Sequence, residues 1–152
     1  NAALHWVLQP EKVIDGVRRA LKEKGRFVAE MGGAGNIATL VSAMEEIFTD
    51  NLDFGEFQNP WYFPSVDKYQ SLLEKAGFLV KDIALISRPT PLTGGLDKWL
   101  DIFANSIHRQ LSDEQKIRFF NAVERKVKSA LFSEQEGWVA DYVRLRFKAI
   151  KL

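Results

Sequence analysis

The sequence predicts an α/β fold, a three-stranded sheet with flanking helices and a helical hairpin. Three observations point there: segments with apolar residues at helical spacing, short segments rich in β-branched and aromatic residues, and the alternation of the two kinds along the chain. A chain of 152 residues with 46% hydrophobic content can fill one core, so residues 1–152 read as a single domain.

The elements follow in order. Pro10 to Lys24 reads as a helix: Pro10 suits the first turn, Val13, Ile14, Val17 and Leu21 keep the 3.6 period, and Gly25 supplies a left-handed stop. Arg26 to Met31 is a short, mostly apolar strand. Gly32-Gly-Ala-Gly-Asn36 then leads into a helix from Ile37 to Asp50. This loop lacks the Gly-x-Gly-x-x-Gly spacing of a dinucleotide site and the Lys-Ser/Thr ending of a P-loop, so it reads as a strand-to-helix turn. Its place at the carboxyl end of a strand is nonetheless where open α/β sheets bind ligands.

Asn51 to Pro64 is irregular and aromatic, with Phe54, Phe57, Trp61, Tyr62 and Phe63. Ser65 caps a helix through Ala76, with Tyr69, Leu72, Leu73 and Ala76 on one face and Gly77 as its stop. Phe78 to Ser87 is strand-like, and Arg88 to Gly95 is a turn-rich connector. Two amphipathic helices follow, one striped by Leu96, Trp99, Leu100, Phe103 and Ile107, the other by Phe120, Val123, Val127 and Leu131. Ser112 and Gln115 form a capping box for the second, and the short join at Leu111 predicts a helical hairpin over residues 96–131. Trp138 to Lys151 alternates with period two: Val139, Val143, Leu145, Phe147 and Ala149 face one way, and Tyr142, Arg144, Arg146 and Lys148 the other. This predicts one long strand with an apolar and a cationic face.

Composition excludes several functions. The 21 basic and 20 acidic residues nearly cancel, which removes the electrostatic case for nucleic acid. With no cysteine there is no disulfide, thiolate metal site or cysteine nucleophile, which fits a reducing cytoplasm. No apolar run approaches the roughly 20 residues that span a bilayer. The two histidines are far apart and suggest no metal site. The chain opens without Met on the apolar, aromatic stretch Asn1 to Leu8. That predicts that upstream sequence belongs to the protein, or that Asn1 and Ala2 are an appended scar.

Asn1-Ala-Ala-Leu-His-Trp6, Pro10 and Leu21-Lys-x-x-Gly-Arg-Phe-Val28 resemble the stretch after the fourth strand of class I S-adenosylmethionine-dependent methyltransferases. The similar branch is the trans-aconitate methyltransferase-like group. Gly32-Gly33 with Gly35-Asn36, Pro60-Trp-Tyr-Phe-Pro-Ser65, and Trp138 to Phe147 agree with it in order and spacing. The resemblance implies the carboxy-terminal half of a Rossmann-like methyltransferase fold, with the last strand inserted antiparallel between the other two. It also implies that the cofactor's glycine-rich motif and ribose-holding acid lie upstream of Asn1.

The resemblance places Asn1, Ala2, His5 and Trp6 beside S-adenosylmethionine, and the loop of Trp61 and Tyr62 with the helical hairpin over the substrate pocket. Gly33, Tyr142 and Arg144 are further substrate-side candidates, the last two as a cationic donor beside an aromatic wall. No catalytic acid or base is implied, because an ionised carboxylate needs only to be desolvated and held near the methyl group. The cationic row of Arg144, Arg146 and Lys148 reads first as a solvated face, and within it Arg144, mid-strand with a planar fork, is the best candidate for a carboxylate. His108 reads as lying on the polar side of its helix. The expected function is methylation of a small, carboxylate-bearing metabolite by the intact parent, with the fragment itself inactive and not binding the cofactor. A non-catalytic binding or protein-interaction module of methyltransferase-like shape is the alternative. The edge of the Arg26 to Met31 strand predicts a homodimer through strand pairing.

Overall fold

The computed structural model describes residues 1–152. The chain divides into two compact units, residues 1–36, 61–88 and 142–152 in the first, and residues 37–60 and 89–141 in the second.

The first unit is built on a three-stranded sheet. Strands β1 (Arg26–Gly32), β2 (Phe78–Ser87) and β6 (Val143–Lys151) lie in the order β1-β6-β2. Strand β6 is antiparallel to both neighbours, which places it as the resemblance implies. Its register sets Phe147 between Ala29 and Ile83, Arg146 between Glu30 and Ala84, and Arg144 between Gly32 and Ile86. Period-two alternation sends Leu145, Phe147 and Ala149 to a core shared with Phe27, Met31 and Phe78. Helices α1 (Pro10–Ala20) and α3 (Val66–Lys75) cover that face with Ile14, Tyr69 and Leu73. Phe27 meets Phe147 edge-on at 4.8 Å between ring centroids, a favoured aromatic geometry.

Helix α3 begins and ends as its sequence predicts. The Ser65 side chain accepts from the Lys68 N–H, and Gly77 takes φ +83° at the end. Helix α1 is shorter than its periodicity suggests. Leu21 is already extended, and Lys24, not Gly25, adopts the left-handed conformation at φ +61°. Gly25 is needed for another reason: a Cβ there would lie 2.7 Å from the Lys22 carbonyl oxygen.

The second unit packs helix α2 (Ala38–Asp50) against α6 (Asp113–Leu131). Phe48, Phe54 and Phe119 form its aromatic centre, with centroid separations of 5.5 to 6.4 Å. The predicted first helix of the hairpin is two, α4 (Gly95–Phe103) and α5 (Asn105–His108). The capping box at α6 is complete: the Gln115 N–H donates to Ser112 Oγ, and the Ser112 N–H to Gln115 Oε1. The buried stripe of α6 uses Phe119, with Phe120 only half-buried beside it.

The predicted long strand is interrupted at Asp141 and Tyr142. Strand β5 (Gly137–Ala140) belongs to a small sheet with β3 (Thr90–Pro91) and β4 (Phe132–Ser133), in the order β3-β5-β4. The Asp141 carbonyl accepts from the Ile37 N–H, and its carboxylate accepts from the Thr39 N–H in the first turn of α2. These bonds turn the chain out of strand geometry and supply the cap that the buried, left-handed Ile37 cannot.

A Cβ at Gly33 would lie 2.4 Å from Leu85 Cδ2 and 2.9 Å from Leu145 Cβ, whereas one at Gly16 would meet nothing within 4 Å. Gly33→Ala is therefore expected to lower unfolding stability by about 1–3 kcal/mol. Gly16→Ala, inside α1, should raise it by roughly 0.5–1 kcal/mol. Chemical denaturation of both variants measures the contrast, and equal effects would contradict the packing described.

Candidate functional site

The carboxyl end of β1 and the start of β6 share one edge of the first sheet. The opening segment is stitched to that edge. The Ala2 N–H donates to the Glu30 carbonyl at 2.7 Å, and a short 3-10 turn, Leu4–Trp6, swings His5 inward. His5 is buried; its Nδ1 accepts from the Gly32 N–H at 3.0 Å, and its carbonyl accepts from the Tyr62 N–H. One residue thus ties the opening segment to β1 and to the aromatic loop.

An imidazole that accepts through Nδ1 carries its proton on Nε2. Burial and the neighbouring Arg144 guanidinium both disfavour a second proton, and the His5 pKa is lowered to about 4. His5 is therefore a neutral donor at physiological pH. Around it stand Trp6 at 5.6 Å and Phe63 at 5.7 Å between ring centroids. Trp61 stacks on Phe63 with an interplanar angle of 9° and meets Trp6 at 5.8 Å. Trp61 is buried, while Trp6 keeps 40% of its surface exposed.

The glycine loop is a packing device. A Cβ at Gly32 would lie 2.5 Å from Phe63 Cε1 and 2.8 Å from Asn36 Nδ2. Four of its amides are also spent: Gly32 donates to His5, Gly33 to the Val143 carbonyl, Ala34 to the Pro64 carbonyl and Asn36 to the Gly33 carbonyl. A phosphate cradle needs several such N–H groups free together, and these four are engaged within the fold. Buried Asn36 adds a bond from the Val143 N–H to its Oδ1 at 2.9 Å, which fixes the start of β6.

Arg144 lies across from Gly32, its guanidinium 4.5 Å from the Tyr142 ring centroid. Two nearby arginines are engaged elsewhere. Arg146 donates from Nε and Nη2 to Glu30 Oε2 at 2.9 and 2.6 Å, and Arg88 Nη1 reaches Glu30 Oε1 at 3.1 Å. The Arg146 hydrogen bond leads in holding the Glu30 carboxyl below its usual range. Arg144 makes no ion pair, and stacking on a phenol leaves its donor edge for an anion.

The structure thus brings together Asn1, Ala2, His5, Trp6, Trp61, Tyr142 and Arg144 at one edge of the first unit. Gly33 lies beneath this edge, packed on Leu85 and Leu145. Tyr62 turns its ring toward the core; its hydroxyl is buried without a partner, and Lys68 Nζ lies 5.3 Å from its ring centroid. Glu30, Asn36 and Phe63 escaped the sequence reading as site residues. For Glu30 the signal was a lone carboxylate in an otherwise apolar strand. His108 is corrected: it is buried in the second unit, edge-on to Phe120 at 5.2 Å, with Nε2 unpartnered. No cluster of three or more His, Cys, Asp or Glu residues could hold a metal, and no helix is long and apolar enough to cross a membrane.

No protein-family profile matches the chain. An uncharacterized methyltransferase of Schizosaccharomyces pombe is 38% identical over an alignment of 165 residues, covering 99% of this chain and 60% of the relative. Among solved structures, a putative methyltransferase from Bacillus halodurans superposes with TM-score 0.53 at 15% identity, covering 98% of this chain and 61% of that one. The chain carries a methyltransferase fold. The YcgJ protein of Bacillus subtilis, with TM-score 0.56 and 13% identity over 99% of this chain and 61% of its own, shares that fold. This methyltransferase-like chain spans about three fifths of the length of the curated relative it matches.

His5 gives the site a pH signature. An unfolded histidine takes its proton near pH 6.5, but folded His5 does so only near pH 4. Its contribution is complete above about pH 6.5 and is lost as the pH falls toward 4. His5→Asn, which keeps an acceptor near the Nδ1 position, should flatten that acid limb in thermal melts across this range. An unchanged limb would show that His5 is not buried neutral.

Proposed function

We propose that this chain is the acceptor-side, carboxy-terminal portion of an S-adenosylmethionine-dependent methyltransferase whose substrate is a small carboxylate-bearing metabolite. One observation carries the reading: an arginine stacked on tyrosine, free of any carboxylate, beside a buried neutral histidine at the carboxyl end of β1. The sequence motifs that resemble the trans-aconitate methyltransferase-like group motivate a carboxylate acceptor.

The residues at the site fit one flank of the cofactor. The half-exposed Trp6 indole and the exposed Asn1 and Ala2 offer an apolar wall and backbone groups, whereas Glu30, the carboxylate on β1, is engaged by two arginines. The principal grip on the cofactor therefore belongs to the rest of the whole protein. When bound, S-adenosylmethionine supplies an electrophilic methyl group, and an ionised carboxylate accepts it without prior loss of a proton. Arg144 orients that carboxylate through its planar fork, and the His5 Nε2–H offers a further donor. Trp6, Trp61 and Phe63 line the site with apolar surface, which strips water from the anion and raises its nucleophilicity. No side chain is needed as a base, consistent with the neutral, low-pKa state of His5.

The test is transfer of labelled methyl from S-adenosylmethionine to a panel of small carboxylic acids by the whole protein. A base-labile methyl ester is the expected product, and Arg144→Gln should lower kcat/KM about 10- to 100-fold, the range for losing a charge-assisted pair (about 1.5–3 kcal/mol). Methylation of nitrogen or hydroxyl acceptors, or an unaffected Arg144→Gln enzyme, would refute the carboxylate assignment. Complete absence of transfer would favour a non-catalytic binding module.

A further inference from the structure

Three arginines crowd one end of the sheet, and a single carboxylate decides which of them is left for a ligand. Glu30 stands directly across from Arg146 on the paired strand, only 12% of its side chain exposed. Its two oxygens are divided between Arg146 and Arg88, at 2.6 to 3.1 Å. Arg88 is further placed by its backbone, whose N–H donates to the Tyr142 carbonyl at 2.7 Å. Arg144 is two residues from Arg146 on the same face of β6, yet it turns to the Tyr142 ring and makes no ion pair. The strand pairing dictates this division, since Glu30 faces Arg146 while Gly32, which has no side chain to offer, faces Arg144.

We infer that Glu30 is a specificity-setting, positioning residue: by occupying Arg88 and Arg146 it leaves Arg144 as the one guanidinium that reads the ligand, so the acceptor is recognised through a single carboxylate. This rests on the carboxylate reading of the site proposed above. Without the Glu30 charge, three guanidinium groups would face the same edge, and an acid with several carboxylates would be favoured over one with a single group.

The experiment titrates propionate and propane-1,2,3-tricarboxylate into the chain, followed by tryptophan fluorescence and by the amide resonance of Gly32. In Glu30→Gln the affinity for the tricarboxylate relative to propionate should rise tenfold or more, while Glu30→Asp, which keeps the charge, should stay near the original ratio. A merely structural role would weaken both acids alike. Arg88→Gln, at an exposed position that needs no refolding of the core, should leave both affinities within about twofold, the size expected of a distant, screened charge. An unchanged ratio in Glu30→Gln, or a tenfold loss of tricarboxylate binding in Arg88→Gln, would overturn the inference. Failure of either acid to bind the unaltered chain, or binding that survives Arg144→Gln, would instead overturn the underlying carboxylate reading, and the inference with it.

Discussion

Strand β6 is paired on both sides, and the rest of the first unit depends on that double pairing. Its register fixes Leu145, Phe147 and Ala149 into the core against Phe27, Met31 and Phe78. Because side chains alternate strictly, the same register sends Arg144, Arg146 and Lys148 to the opposite face. Core and cationic row are one constraint, not two. A slip of one residue would drive guanidinium groups into an aromatic core and expose Phe147, so the position of Arg144 across from Gly32 is as firmly set as the core itself.

The chemistry of the site follows from what lies against that strand. Gly32 and Gly33 allow Phe63, Leu85 and Leu145 to approach the backbone more closely than any side chain would permit. The approach leaves the Gly32 N–H directed at His5 Nδ1, and that bond selects the tautomer and keeps the ring neutral. The neutral ring tolerates Arg144 nearby, where an imidazolium would be repelled. Glu30 completes the arrangement by pairing with both Arg88 and Arg146 through its two oxygens. Each step is short-range, and each is traceable to a residue type at a fixed position.

Some of this was legible in the sequence, and some was not. The α3 cap at Ser65, the left-handed Gly77 and the Ser112–Gln115 capping box are local signals whose bonds span at most four residues, and the structure has them as read. The interruption at Asp141 and Tyr142 was hidden because Val139 and Val143 are four residues apart, which keeps period-two parity across the break. Only contacts distant in sequence, from Ile37 and Thr39, reveal it. Adjacent Phe119 and Phe120 lie about 100° apart on a helix, so periodicity alone left the buried one ambiguous. His108 follows Ala104 by four residues, a spacing that puts it on the buried side; residue polarity misled where geometry was right. The order of the strands was not written in periodicity at all and came from resemblance, since pairing is a long-range property.

We propose a division of labour in which this chain holds the acceptor's side of a methyltransferase site, with most of its glycine-loop amides engaged within the fold. Calorimetric titration of S-adenosylhomocysteine into the 152-residue chain tests it most directly. No saturable heat is expected, because the proposed cofactor flank of this chain is the Trp6 indole with the backbone of Asn1 and Ala2. Tight, stoichiometric binding would show that the Asn1 to Trp6 segment and the Gly32 loop suffice to hold the cofactor, and the division would be wrong.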